Sequence, residues 1–154
     1  MKIAIYSRGV NREQLNDVQQ LFSILIENGV EPVFFQDFFN QIYTCIKLEN
    51  HYSTFSSHND LDVDIDCMIS LGGDGTLLDT VSFVRDSGIP VLGVNYGRLG
   101  FLANIGRDEI KDAVEALINR KYVLDKRTLI HLDANIPLFG DTPYALNEFT
   151  IHKK

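Results

Sequence analysis

The sequence predicts an α/β fold: an open, mostly parallel sheet with helices on both faces, followed by the first strands of a truncated antiparallel β domain. Three observations predict it. Strand-like and helix-like stretches alternate as far as about residue 120. Two of the strand-like stretches, Asp66–Leu71 and Ile89–Asn95, are near-continuous apolar runs, the pattern of parallel strands buried on both faces. Seven of the eleven glycines fall between residues 72 and 100, and six of those read as members of loops that follow strands. In an open α/β sheet such loops, beyond the carboxyl ends of the strands, build the ligand site, so the expected sheet is Rossmann-like.

Each element follows from local pattern. Lys2–Ser7 reads as the first strand. Asn11 offers an N-cap with Gln14 three residues on, and Leu15, Val18, Leu21, Phe22, Leu25 and Ile26 follow at helical spacing. Gly29 stands where a glycine ends a helix. Pro32–Phe35 reads as a second strand, and Asp37 as the cap of a helix carrying Ile42, Cys45 and Ile46. The polar stretch from Asn50 to Asp60 reads as a surface loop. After the strand ending at Leu71, Thr76 is expected to start and cap a helix with Leu77, Leu78, Val81 and Val84 on its apolar side, stopped by Gly88 and Pro90. Asp108 is expected to cap a last helix bearing Ile110, Val114, Leu117 and Ile118. From about Arg127 the pattern changes: Thr128–Ile136 alternates as a half-buried antiparallel strand, a turn holds Gly140 and Asp141, and Tyr144–His152 reads as its partner. Residues 1–126 are therefore expected to form an α/β domain, and residues 127–154 the start of a β-rich second one.

Composition narrows the function classes. The chain has 154 residues, 45% of them apolar and 23% charged, which is globular rather than disordered. A formal charge of −7 argues against a nucleic-acid backbone or an anionic membrane as main partner. It leaves room for a small anion held by backbone amides. No apolar run reaches the ~18 residues of a membrane span, and Met1–Tyr6 has no signal-peptide character. Cys45 and Cys67, both in apolar surroundings, read as buried thiols of a cytoplasmic protein.

The chemistry concentrates in Gly72-Gly73-Asp74-Gly75-Thr76. This loop is neither of the two common phosphate-binding glycine motifs, and it holds no lysine. An aspartate beside a phosphate is repelled unless it has a task. It can accept the proton of a hydroxyl that attacks the phosphate, or reach a metal ion that neutralises it. The plainer alternative is a tight strand–helix turn in which Asp74 satisfies backbone amides. Asp60, Asp62, Asp64 and Asp66 do not make a calcium loop, because Ile65 stands where glycine is needed and Leu71 where glutamate is needed. Phe34, Phe35, Phe38 and Phe39 read as core.

The glycine loop resembles that of NAD kinases, diacylglycerol and sphingosine kinases, and phosphofructokinases. Two further segments narrow the resemblance. Gly93-Val94-Asn95-Tyr96-Gly97-Arg98-Leu99-Gly100-Phe101-Leu102 is similar to the second loop of NAD kinases, and Tyr144–Ile151, with Asn147-Glu148 inside it, to their Asn-Glu motif. The resemblance covers the whole chain, makes residues 1–126 a nucleotide-binding domain, and implies transfer of the γ-phosphoryl of ATP to the 2′-hydroxyl of the adenosine ribose of NAD, with a divalent cation such as Mg²⁺. It implies Asp74 as general base, Gly72, Gly73, Gly75 and Thr76 lining the phosphate loop, and Asn147 and Glu148 bonding the ribose hydroxyls and the nicotinamide side of NAD. Phe101 and Leu78 would lie near the adenine, and Arg98 at a phosphate. No residue is assigned to the metal. Asn147 and Glu148 would point to opposite faces of a strand, so both meet one ligand only at a strand end or an irregularity. Small-molecule substrates are the implied partners, and the full-length protein is implied to be a homo-oligomer. Family members continue into a β domain, so the chain by itself is expected to be weakly active or inactive and to expose apolar surface around residues 128–151. The alternatives are another kinase with this loop, acting on a lipid or sugar phosphate, and a nucleotide-binding module without catalysis.

Overall fold

The computed structural model describes residues 1–48, 51–61, 64–97, 100–136, 138–140 and 142–153. Its order is β1 (Lys2–Tyr6), α1 (Leu15–Glu27), β2 (Glu31–Phe35), α2 (Gln36–Ile42), β3 (Ser53–Phe55), β4 (Cys67–Leu71), α3 (Asp74–Val84), β5 (Val91–Val94), α4 (Ile110–Ile118), β6 (Ile130–His131) and β7 (Tyr144–Ala145). Strands β1 to β5 form one sheet in the order β3-β2-β1-β4-β5, every pairing parallel. The expected α/β architecture is therefore present. The chain steps outward from β1 through β2 to β3, then crosses to the other side of β1 for β4 and β5. The order reverses between β1 and β4, which is where open α/β sheets bind ligands.

Alternation along β1 builds two cores. Ile3 and Ile5 face Val18, Leu21, Phe22 and Leu25 of α1, Phe38 and Ile42 of α2, and Ile110, Val114 and Leu117 of α4. Ala4 and Tyr6 face Phe83 and Val84 of α3. Helices thus cover both faces, and all five residues of β4 are buried. The four phenylalanines of the β2–α2 corner pack as core: Phe34 and Phe38 are buried, and Phe35 and Phe39 lie against the core.

Several local expectations are corrected. The polar stretch before β4 contains β3, which adds an edge strand to β2 and buries Phe55. Three residues are too few to show a period, and only the sheet edge makes them a strand. Asn11 and Gln14 do exchange side-chain bonds to each other's backbone N–H, at 3.1 and 2.8 Å, but α1 proper begins at Leu15. The N-cap of α3 is Gly73 rather than Thr76, which sits buried in the first turn. A 3₁₀ turn, Arg107–Glu109, precedes α4; Glu109, not Asp108, reaches back to the Gly106 N–H at 2.9 Å. Gly93 lies inside β5, where Leu77 and Ala103 crowd its Cα. Cys67 is buried and its thiol pushed up to about 12 by desolvation, but Cys45 is exposed because α2 ends at Ile42. The two predicted strands of the terminal hairpin shorten to β6 and β7, two residues each and antiparallel. Among the described residues this sheet has two strands, and a two-stranded ribbon by itself is marginal.

Candidate phosphate site

The site forms where β1 and β4 end side by side, Tyr6 in register with Ser70. The Ser7 hydroxyl donates to the Leu71 carbonyl at 2.8 Å, tying the loop after β1 to the end of β4. Gly72 then packs its Cα directly on Thr76: a Cβ there would lie 2.3 Å from Thr76 Oγ1, so only glycine fits. Gly73 is extended, α3 starts at Asp74, and no side chain caps it. As the first two residues of α3, Asp74 and Gly75 have N–H groups without an intrahelical acceptor, next to the crevice where the strand order reverses; the Thr76 N–H already donates to the Gly73 carbonyl at 3.0 Å.

Asp74 does not hang free in this loop. Its Oδ2 accepts the Phe101 N–H at 2.8 Å, and its Oδ1 accepts those of Leu102 and Ala103 at 2.9 and 2.8 Å. The carboxylate thus clamps the second glycine loop to the first. The Ala103, Phe101 and Leu102 amides hold its carboxyl below the usual aspartate range. Gly100 makes the approach feasible: a Cβ there would lie 2.1 Å from Asp74 Oδ1. Asn95, buried at the end of β5, orders the same loop from below. Its side chain donates to the Ala103 carbonyl at 3.2 Å and accepts the Gly97 N–H at 2.8 Å.

A second cluster flanks the loop. Asp79, one turn into α3, accepts from the Tyr6 hydroxyl at 2.9 Å and from Arg8 Nε and Nη2 at 2.5 and 2.7 Å. Burial pushes the Asp79 carboxyl up, but the Arg8 and Tyr6 bonds more than offset this and hold it below its usual range. Burial and the neighbouring Asp79 raise the Tyr6 hydroxyl.

The structure brings Gly72, Gly73, Asp74, Gly75, Thr76 and the Phe101 backbone together. The Phe101 ring is 84% exposed and Leu78, on α3, is 36% exposed, so both are open to a ligand. Asn147 and Glu148 lie exposed just past β7, off the strand ladder; they make no hydrogen bond to the glycine loop among the described residues. Arg98 lies outside the described residues. Asn95, Asp79, Tyr6 and Arg8 carried no role in the sequence reading. Of these only Asn95 had a local signal, a polar residue closing an apolar strand ahead of glycines.

An open parallel sheet with a glycine loop and a helix N-terminus at its reversal point defines an α/β domain whose candidate ligand site lies at the carboxyl ends of the strands. Residues 3–122 match the ATP-NAD kinase N-terminal domain, and the chain belongs to that family. It is 37% identical to an NAD kinase of Flavobacterium psychrophilum over 156 residues, covering 100% of this chain and 53% of the relative. An NAD kinase of Cytophaga hutchinsonii is 38% identical over 155 residues, again with 100% and 53% covered. Among solved structures, yeast NADH kinase complexed with NADH superposes with a TM-score of 0.69 at 25% identity, over 88% of this chain and 44% of that one. The chain thus spans about half the length of the curated relatives it matches. Among the described residues no helix is long and apolar enough to cross a membrane.

Proposed function

We propose that this chain carries the nucleotide-binding half of an NAD kinase, which moves the γ-phosphoryl of ATP to the 2′-hydroxyl of the adenosine ribose of NAD, giving NADP. The observation that carries this is the Asp74 carboxylate, held ionised inside a glycine loop at the ligand end of the sheet. A carboxylate has about four lone-pair sites. Three backbone amides occupy three of them, two on Oδ1 and one on Oδ2. The remaining Oδ2 position accepts the O–H of the attacking ribose and aims its oxygen at the phosphorus. The same three amides weaken Asp74 as a base, so its contribution is chiefly alignment, with the proton leaving as the P–O bond forms. Gly72, Gly73, Gly75 and Thr76 would cradle the phosphate chain, Phe101 and Leu78 would cover the adenine, and Asn147 and Glu148 would bind the ribose and nicotinamide side. Arg98 at a phosphate belongs to the same proposal.

No group of three or more metal-ligating side chains forms among the described residues, and Asp74 is largely spent on amides. These residues by themselves do not make a resident Mg²⁺ site. The cation would arrive on the phosphates of the nucleotide. The division at residue 126, a cytoplasmic location and a homo-oligomeric full-length protein belong to the same reading. The free thiols Cys45 and Cys67 support the location.

The test is an assay of Asp74→Ala in the full-length protein with ATP and NAD. Turnover should fall by at least ~10², the contribution typical of a positioned acid–base group. Unchanged NADP formation sinks the assignment. The 154 residues alone should turn over little NAD, because Phe101, Asn147 and Glu148 face no opposing wall among the described residues.

A further inference from the structure

Arg8 leaves β1 on the loop that borders the reversal crevice, directly opposite the glycine loop that leaves β4. Its guanidinium crosses that crevice. Nη2 donates to the Gly75 carbonyl at 3.3 Å, and Nη1 lies 3.4 Å from where a Cβ on Gly75 would stand. Asp79 engages Nε and Nη2 side by side, which fixes the plane of the group. That fork leaves the Nη1 edge, with its two N–H donors, unengaged among the described residues and turned over the glycine loop. The side chain is 61% exposed, so the edge is open to a ligand. In a chain of net charge −7, a local cation beside the glycine loop adds to the attraction that backbone amides offer a multiply charged anion.

We propose that Arg8, oriented by Asp79, is a ligand of the phosphate chain of the phosphoryl donor, closing over the phosphates from the β1 side while the glycine loop and the start of α3 hold them from the β4 side. This rests on the phosphoryl-transfer reading above and adds a residue to its donor site. Arginine suits the task because its fork can keep one edge on a carboxylate and offer the other to phosphate oxygens. Asp79 is a positioning residue: it touches Arg8, not the phosphate. The ligand chemistry is a linear phosphate chain, whether of ATP or of free polyphosphate.

The test uses the 154-residue chain, ¹⁵N-labelled, titrated separately with inorganic tripolyphosphate and with ATP while the amide signals of Gly72, Gly73 and Gly75 are followed by NMR. In the wild-type chain these signals should shift and saturate. Arg8→Gln should need about tenfold or more ligand for the same shift, as expected for loss of charge-assisted bonds. Arg8→Lys should recover part of the loss, and Asp79→Asn, which keeps the Arg8 charge but frees its plane, should weaken binding. Added salt should weaken binding more in the wild type than in Arg8→Gln. The spectrum of each variant reports its fold, and Arg8 is exposed, so folding is retained. ATP saturating well below tripolyphosphate assigns the nucleotide as source; equal saturation assigns the phosphate chain alone. Equal affinity of wild type and Arg8→Gln overturns this inference and leaves the functional reading standing. No shift of the loop amides in the wild-type chain with either probe overturns both.

Discussion

Asp74 accepts three amides from a loop 27 to 29 residues further along the chain, and this sets both its charge and its limits. Those bonds favour the ionised form, so its folded-state pKa lies below the ordinary aspartate value. The sign follows from linkage: a depressed carboxyl adds stability that is complete above its unfolded pKa and is lost as pH falls through the folded one. The clamp is therefore intact at neutral pH and opens in acid. An acid titration by NMR should move the Phe101, Leu102 and Ala103 amide signals together, and Asp74→Asn should abolish that shared transition. Three amides that stay still through the acid range, in a protein that remains folded, would contradict the clamp. The same geometry reconciles the two sequence expectations for Asp74. It does satisfy backbone amides, and under the proposed function the lone pair left on Oδ2 would take the substrate hydroxyl.

At the scale of elements, β3 shows how much three residues can matter. Phe55 is 1% exposed and packs against Phe35 and Phe83, whose rings lie 5.8 and 5.3 Å from its own. Tyr6 joins the same aromatic cluster through Phe35 and Phe83, at 5.0 and 5.1 Å. The edge strand thus anchors the α3 face of the sheet near the foot of the Tyr6–Asp79–Arg8 cluster. Phe55→Ala should destabilise the fold by about 3–5 kcal/mol, the range for truncating a buried aromatic. Urea unfolding measures it, and a loss below ~1 kcal/mol would show that β3 is dispensable. The strand β1 and the helices α1, α3 and α4 were legible from their apolar spacing, and β4 from a short near-continuous apolar run followed by glycines. Their first residues were less so. Gly73 takes the α3 N-cap because the backbone must turn tightly out of β4, and Thr76, the better capping residue by type, is drawn into the packing against Gly72.

For the molecule as a whole, the body from β1 to α4 buries most of its apolar residues, Phe101 and Tyr43 being the most exposed of the exceptions, whereas the segment after α4 leaves large apolar side chains open. Val123 is 96% exposed, and Ile136, Leu138 and Phe139 are more than half exposed while lining one shallow cavity beside the β6–β7 ribbon. Exposed apolar groups gathered in this way bind hydrophobic dyes. The 154-residue chain should enhance the fluorescence of 8-anilinonaphthalene-1-sulfonate, and Leu138→Ser with Phe139→Ser should remove most of that signal while the circular dichroism of the α/β body is unchanged. Dye binding that survives the double substitution would place the exposed surface elsewhere. The exposure was expected from the sequence around residues 128–151, and Tyr122, Val123 and Leu124 extend it toward α4.

By itself the sequence determined the alternation of strands and helices, the buried character of β4, the glycine loop and its aspartate, and the family to which these belong. Such features are local: a period of two or of 3.6 residues, a turn that only glycine allows, and a motif contiguous in the chain. Only the tertiary structure decided which groups meet at the ligand end of the sheet. Arg8 and Asp79 are 71 residues apart and are joined because β1 and β4 are neighbours. The amides that restrain Asp74 come from the loop after β5, brought over α3 by the pairing of β4 with β5. No local pattern encodes these meetings, because they depend on the order of strands in the sheet, and that order follows from how the helices close over the two cores.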